Sequence, residues 1–225
     1  MANDSTLKTS HTQENYLKAL YHLTLEKKEV TVNDLAKRLD LKMPSITSMM
    51  QKMANEKLIK YEKYKPIKLT EKGKKEAAII IRKHRLTEMF LVEKMNFGWE
   101  EVHDIAEQIE HIQSQKFFQK MDDMLGHPAL DPHGSPIPDK YGNYKQLDQK
   151  TLDQADLNTT VVVIGLTNSS DDLLRFLNSK GIKLGSEMVI VEKEPFDGSM
   201  KVAVGKKEMM LSSTVSAQLF FQVKK

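Results

Sequence analysis

KMPSITSMMQKMANEKLIKYEKYKPIKLTEKGKK, residues 42–75, changes its hydrophobic rhythm halfway along. Up to Asn55, the residues Ile46, Met49, Met50 and Met53 recur at helical spacing and make one stripe. Pro44 suits the first turn of that helix, where its missing N–H costs nothing. The methionine row is core packing and requires no cofactor. From Leu58 the period shortens, and Leu58 to Tyr61 and Ile67 to Thr70 read as two short strands around a basic turn with Pro66.

Two helices precede this stretch. TQENYLKALYHLTLEK, residues 12–27, carries Tyr16, Leu17, Leu20, Tyr21 and Leu23 at helical spacing, with Thr12 as its N-cap. In VTVNDLAKRLDL, residues 30–41, Thr31 or Asn33 caps a short helix that buries Leu35, Ala36 and Leu39. Helix, helix, turn, helix, hairpin is the order of a winged helix-turn-helix. The outward face of the third helix then presents Pro44, Ser48, Gln51, Lys52 and Asn55, with Ser45 and Thr47 at its margins. Short polar side chains near a helix N-terminus are what a major groove admits. Lys60, Lys63, Lys65 and Lys68 of the hairpin can neutralise phosphates without reading sequence. A winged-helix protein–protein module is the alternative; lysines and a polar helix face occurring together favour DNA.

The charge distribution points the same way. A net charge of +3 over 225 residues conceals +7 in residues 1–75, −5 in residues 76–140 and +1 beyond. A basic segment beside an acidic one suggests a polyanion-binding module next to a cation-binding one. Cysteine is absent, which excludes disulfides, thiolate metal sites and thiol catalysis. No apolar run approaches the roughly 18 residues a membrane span needs. The first residues, MANDSTLKTSHTQ, lack the layout of a secretion signal, so a cytoplasmic protein is expected.

The acidic segment holds HDIAEQIEH, residues 103–111. As one helix, it would place His103, Glu107, Glu110 and His111 along one side and Ile105, Ala106, Ile109 and Ile112 on the other. That polar face has nitrogen and oxygen donors and no Lys or Arg. An exposed acidic face with two incidental histidines is the plainer reading of this stretch alone. Residues 71–97 read as one long helix ending before Gly98, and on it His84 and Glu88 stand four apart, a second pair of the same donor types. If the two helices pack antiparallel through the turn near Gly98 and Trp99, His84, Glu88 and His103 converge, leaving Glu107, Glu110 and His111 to find another partner. Residues 112–125 continue the helical pattern. Their Phe117, Phe118, Met121 and Leu125, with Met89, Phe90 and Leu91, offer more apolar surface than a small domain needs, which suggests a homodimer.

Residues 126–149 hold four prolines and three glycines and read as loop or linker, with His127 and His133 incidental to it. Beyond Thr159 the chain looks like a small β-rich domain: TTVVVIGL, a capped helix SSDDLLRFLNSKGI, then MVIVEKE, KVAVGKKEMMLS and VSAQLFFQV as strands, with FDGS as a turn. Asp171 and Asp172 fall in that helix's first turn, where the macrodipole favours them. The expected fold is mainly α with a β-rich C-terminal domain. Its parts are a winged helix-turn-helix (1–75), a helical metal-binding and dimerisation domain with linker (76–140) and an SH3-like, FeoA-like domain (150–225).

The order of winged helix, two-helix donor region, HP…PHGSPIP linker and small β domain resembles the diphtheria-toxin-repressor family of metal-dependent bacterial transcription regulators. Residues 12–138 are similar in motif and the C-terminal domain in layout. Residues 42–75 and the E-x-x-E-H ending of the 103–111 stretch look most like the manganese transport regulator branch. The resemblance implies a primary metal site of Glu107, Glu110 and His111, completed from the first helix at the position of Asn15. Many relatives carry aspartate or methionine there, so the Asn15 carbonyl oxygen, Glu14 or water completes the site. It implies an ancillary site of His84, Glu88 and His103, to which Asp171 or Asp172 could donate. Lys18 stands where the manganese branch often has a glutamate, which argues against a closely spaced two-metal site. For DNA, the resemblance points to Lys42, Pro44, Ser45, Thr47 and Ser48.

Oxygen and imidazole donors without thiolate suit Mn²⁺ first and Fe²⁺ second, with Zn²⁺, Co²⁺ or Ni²⁺ able to substitute in vitro. The expected function is therefore a repressor that uses the metal as corepressor and binds palindromic operator DNA as a dimer. Without metal the clustered carboxylates repel; with it, two recognition helices match major grooves about 34 Å apart. The alternatives are a winged-helix regulator sensing a small organic ligand and a di-metal carboxylate enzyme. The enzyme needs ligand sets on four facing helices, and the sequence offers two.

Overall fold

The computed structural model describes residues 10–144, 150–167 and 170–224. The chain divides into two compact units. The first comprises Met1–Lys83, Glu110–Gln113 and Pro138–Asn143; the second comprises His84–Ile109, Ser114–Ile137 and Tyr144–Lys225. Among the described residues no helix is long and apolar enough to cross a membrane.

In the first unit, α1 (His11–Glu26) starts two residues earlier than a Thr12 cap implies, because Ser10, and not Thr12, caps it by accepting from the Gln13 N–H. Thr31 opens α2 (Val32–Leu39) with a reciprocal capping box: the Asp34 N–H donates to Thr31, and the Thr31 N–H donates back to Asp34. Asp40 then turns left-handed (φ 51°), and α3 (Met43–Asn55) follows with Pro44 in its first turn. Ile46, Met50 and Met53 are buried, and Met49 packs at the margin of the same core with Tyr16, Leu17, Leu20 and Leu35. β1 (Ile59–Lys60) pairs antiparallel with β2 (Lys68–Leu69), and Val30 bridges Ile67 to extend the small wing. The long helix α4 (Glu71–Met95) starts here and runs on into the second unit. A Cβ on its Gly73 would stand 2.0 Å from the Leu58 carbonyl oxygen, so only glycine lets the hairpin lie against this helix.

The second unit departs from the sequence reading at residues 103–125. In place of one continuous helix there are α5 (His103–Ile109) and α6 (Gln115–Leu125). The break has a local cause: Ser114 has extended backbone and accepts from the Phe117 N–H, which starts a new helix with its own cap. Glu110 and His111 therefore lie in a turn beyond α5 and off its polar stripe. Phe118 and Met121 of α6 bury against Leu86 and Ile137.

The C-terminal part is an antiparallel sheet in the order β3-β8-β4-β5-β6-β7. Its strands are β3 (Lys150–Thr151), β4 (Thr160–Leu166), β5 (Glu187–Lys193), β6 (Met200–Val204), β7 (Lys207–Leu211) and β8 (Leu219–Val223). The helix α7 (Asp171–Lys180), capped by Ser170, packs Leu174 and Leu177 onto Val161, Val163, Ile190 and Val202. VSAQLFFQV is not one strand: α8 (Ser213–Ser216), capped by Ser212, precedes β8. Within the Pro/Gly segment after α6, residues 130–136 form a loop closed by a Leu130–Pro136 bridge. Asp131 Oδ1 accepts from the N–H groups of His133 and Ser135, both at 2.9 Å. The Leu166 N–H donates to the His133 carbonyl, and a Cβ on Gly165 would stand 2.2 Å from the Gly134 Cα. Two glycines thus let this loop lie directly on β4.

Candidate functional site

In the first unit, the turn Glu110–Gln113 meets the N-terminal half of α1. His111 Nδ1 stands 2.6 Å from Glu14 Oε2, and Gln113 Nε2 donates to Glu14 Oε1 at 2.7 Å. The His11 ring stacks on His111 with 4.7 Å between centroids. Glu110, fully buried, receives Lys18 Nζ on both carboxylate oxygens, at 2.7 and 2.8 Å. On α4, burial lowers the Lys83 ammonium pKa, while the charges of Glu14 and Glu110 oppose that shift. Asn15 Oδ1 is buried and finds no hydrogen-bond partner among the described residues. An orphaned buried carbonyl oxygen is costly in water-free surroundings. Asn15 follows Glu14 on α1, in the same unit as Glu110 and His111, and these oxygen and imidazole groups are of the types a divalent cation such as Mn²⁺ or Fe²⁺ takes.

The second unit holds another donor cluster, centred on buried Glu88. Its Oε1 lies 3.0 Å from His84 Nε2 and 3.4 Å from His103 Nδ1. Its Oε2 faces the other way, 3.7 Å from His133 Nδ1. Two ligand sets therefore share this carboxylate: His84, Glu88 and His103 on one side, Glu88, Asp131 and His133 on the other. His133 Nε2 is engaged by the Trp99 carbonyl at 2.8 Å, which fixes the ring and leaves Nδ1 as the atom facing Glu88. Burial would raise the Glu88 pKa, but hydrogen bonds from His103, His133 and His84 outweigh it and hold the carboxyl well below its usual range. Burial lowers the His133 pKa, but its bond to Glu88 and the charges of Glu88 and Asp131 carry it to about 9. Burial, then repulsion from Glu88, pushes Asp131 up to about 6. Arg85 Nε lies 3.4 Å from Asp131 Oδ2 and steadies the loop.

His84, Glu88 and His103 come together as the sequence suggests. Glu107 lies beside His103, 3.7 Å from its Nε2. Between the open alternatives for the first helix, Glu14 makes the contact to His111 and Asn15 keeps a bare oxygen. Asp172 is exposed, and among the described residues it joins none of the ligand groups. The side chain of Asp171 lies outside the described residues.

Two expectations fail. His133 is not incidental, because the loop seats it against Glu88; two donors two residues apart in Asp131-Pro-His133 were the only local hint. The carboxylates of the primary cluster are not left to repel, because Lys18 neutralises Glu110.

The residues expected to face nucleic acid lie on α3, on its N-cap Lys42 and on the hairpin. Lys42, Pro44, Ser45, Ser48 and Gln51 are exposed on α3, as are Lys60, Lys63, Lys65 and Lys68 on the wing. Thr47 is half-buried and donates its hydroxyl to the Met43 carbonyl at 3.0 Å. Lys63 Nζ lies 5.0 Å from the ring centroid of exposed Tyr64, and Lys65 pairs with Glu62.

Three family models match this chain. Residues 8–67 match the iron dependent repressor N-terminal DNA binding domain, and residues 70–139 match the iron dependent repressor metal binding and dimerisation domain. Residues 150–223 match the FeoA domain. The iron-dependent repressor IdeR of Mycobacterium tuberculosis is 35% identical over 127 residues, 56% of this chain and 55% of that protein. The chain thus spans about half the length of the curated mycobacterial relatives it matches. The HTH-type transcriptional regulator MntR of Oceanobacillus iheyensis is 32% identical over 143 residues, 64% of this chain and 95% of that protein. A solved manganese-dependent transcriptional repressor in complex with manganese is 28% identical, with a TM-score of 0.71 over 94% of this chain and all of that one.

Proposed function

Because the chain belongs to the diphtheria-toxin-repressor family of metal-dependent transcriptional regulators, we propose that it represses metal-homeostasis genes by binding operator DNA when charged with Mn²⁺, or alternatively Fe²⁺. Residues 1–75 read DNA, residues 76–140 bind metal and dimerise, and residues 150–225 form the FeoA-like appendage. The working form is a cytoplasmic homodimer on a palindromic operator. Family membership disfavours both the small-organic-ligand regulator and the di-metal enzyme.

One observation carries this reading: the turn with Glu110 and His111 closes onto Glu14 of α1, a helix that belongs to the winged-helix core. A bound divalent cation supplies positive charge that acidic and imidazole groups share. Glu14, Glu110, His111 and the Asn15 carbonyl are the groups of the first unit that hold it, with Glu107 as the family-implied addition. Glu88 holds the second ion with His84 and His103, and Asp131 and His133 lie at its other oxygen. Fixing α1 against the turn fixes the winged helix that α1 supports. In a homodimer that sets the distance between two recognition helices. By linkage, operator DNA tightens metal binding by the same factor.

Titrating operator binding with Mn²⁺, Fe²⁺ and Zn²⁺ side by side tests the reading. DNA affinity is expected to rise steeply with Mn²⁺ or Fe²⁺ and to stay low in Glu110→Ala. DNA binding that is indifferent to chelator would overturn the metal-sensor function.

A further inference from the structure

Lys18 and Glu110 form a two-point ion pair in the first unit's cluster. Nζ donates to Oε1 at 2.7 Å and to Oε2 at 2.8 Å. The Glu110 side chain has no exposed surface and the Lys18 side chain only 13%. An ionised carboxylate removed from water in this way requires a countercharge, and losing that partner is strongly destabilising. Lys83 adds a second ammonium to the same surroundings, within the fields of Glu14 and Glu110. The Lys18 ammonium thus neutralises Glu110 where the repressor reading calls for a divalent ion.

A divalent ion on Glu110 would sit roughly 2.0–2.6 Å from the oxygens it takes. Those oxygens already carry the ammonium, and two cations held on one carboxylate repel each other across a few ångströms of low-dielectric interior. Lys18 is long enough to swing away, since its four-carbon stem carries free rotors and its side chain is not wholly enclosed.

We propose that Lys18 is a tethered surrogate cation, which holds Glu110 in its ligating position while the site is empty of metal and must leave before a metal can ligate that carboxylate. This inference rests on the reading of Glu110 and His111 as metal ligands. It gives Lys18 two consequences of opposite sign. The turn Glu110–Gln113 stays docked on α1 without metal, which preorganises the site. The metal must also displace an existing ion pair, which raises the concentration at which the protein responds.

Two measurements on the full chain test this, with Mn²⁺ alone as the probe. The first is Mn²⁺ affinity by competition with a chelating dye, read on the binding step that Glu110→Ala abolishes. Lys18→Met is expected to tighten that step at least tenfold; an unchanged or weaker affinity overturns the proposal. The second needs no variant: the acetylation rate of Lys18 is followed by mass spectrometry without metal and with saturating Mn²⁺. Lys18 is expected to be protected in the first state and at least tenfold more reactive in the second. Saturating Mn²⁺ that leaves Lys18 protected overturns the surrogate role while leaving the metal sensor standing. A wild-type chain that retains no Mn²⁺ overturns both.

Discussion

Gln13 Nε2 donates to Glu56 Oε2, tying the residue beside Glu14 to the C-cap residue of α3. Gln13 is buried, so this bond cannot be traded freely for water. It joins the segment of α1 that carries Glu14 to the far end of α3, which presents Ser48 and Gln51; on the proposed function it links ligand geometry to the pose of the recognition helix. Gln13→Ala should leave Mn²⁺ affinity in the absence of DNA within about twofold. It should cut the metal-induced gain in operator affinity roughly tenfold, as expected for a bond to a charged group worth about 1.5–3 kcal/mol. Calorimetry for metal and fluorescence anisotropy for DNA separate the two effects. Equal losses in both would make Gln13 a structural residue only.

The Glu88 cluster gives the metal-free protein a defined pH response. His133 is held up to about 9 and so contributes stability that is whole below its unfolded value of roughly 6.5 and is lost as pH rises through 9. Asp131 is pushed up to about 6, and ionising it in the folded state costs stability between roughly pH 4 and 6. Both signs agree: the second unit should melt at progressively lower temperature as pH rises from 5 to 9 in chelator. The His133 part is on the order of 3 kcal/mol at one pK unit per 1.4 kcal/mol. His133→Gln should flatten the upper part of the profile and Asp131→Asn the lower. A profile that rises over that range would contradict the assigned contacts.

The loop carrying Asp131 and His133 depends on two glycines meeting at β4. Gly165→Ala would place a methyl 2.2 Å from the Gly134 Cα, where the neighbour is backbone and cannot rotate aside. Overpacking of this kind typically costs about 1–3 kcal/mol, and the loop must lift. His133 then moves from Glu88, so the variant should lose stability and also weaken the metal step assigned to Glu88. Thermal melts with and without Mn²⁺ should show a smaller metal-induced rise in Tm than the wild type gives.

What was readable in the sequence follows the range of the interactions involved. Ile46, Met50 and Met53 bury as their spacing implies, because amphipathic period is a local property that tertiary packing reinforces. The capping box of Thr31 and Asp34 is likewise a four-residue signal. His84 and Glu88 share a helix face at one turn's separation, and antiparallel return of the chain brings His103 to them. The break after Ile109 escaped because 103–112 keeps a helical period through residues that are not helical, and only Ser114 marks the restart. His133 escaped because its position is set by Gly134 and Gly165, which are 31 residues apart and meet only in three dimensions. Lys18 could be noticed as an unusual residue, but its partner Glu110 lies 92 positions away.

The wing carries a cost that the proposed DNA binding would explain. Lys60 and Lys68 are direct cross-strand partners in the β1–β2 pair, and both are exposed. Like charges placed opposite one another in an antiparallel pair destabilise it by a few tenths of a kcal/mol up to about 1 kcal/mol. Nothing in the packing of Ile59 and Leu69, which point inward, requires lysine at the two outward positions. A phosphate between the two ammonium groups would turn that repulsion into a shared contact and release counterions. Lys68→Thr, which keeps a good strand former, should therefore raise the thermal stability of the free protein slightly. It should also weaken binding to specific and nonspecific DNA alike and reduce the slope of log affinity against log salt by about 1. Ser48→Ala, on the exposed face of α3, should leave that slope unchanged and alter the ranking of operator sequences. If Lys68→Thr changes stability without touching the salt slope, the wing does not contact the backbone, and the like-charge pair needs another explanation.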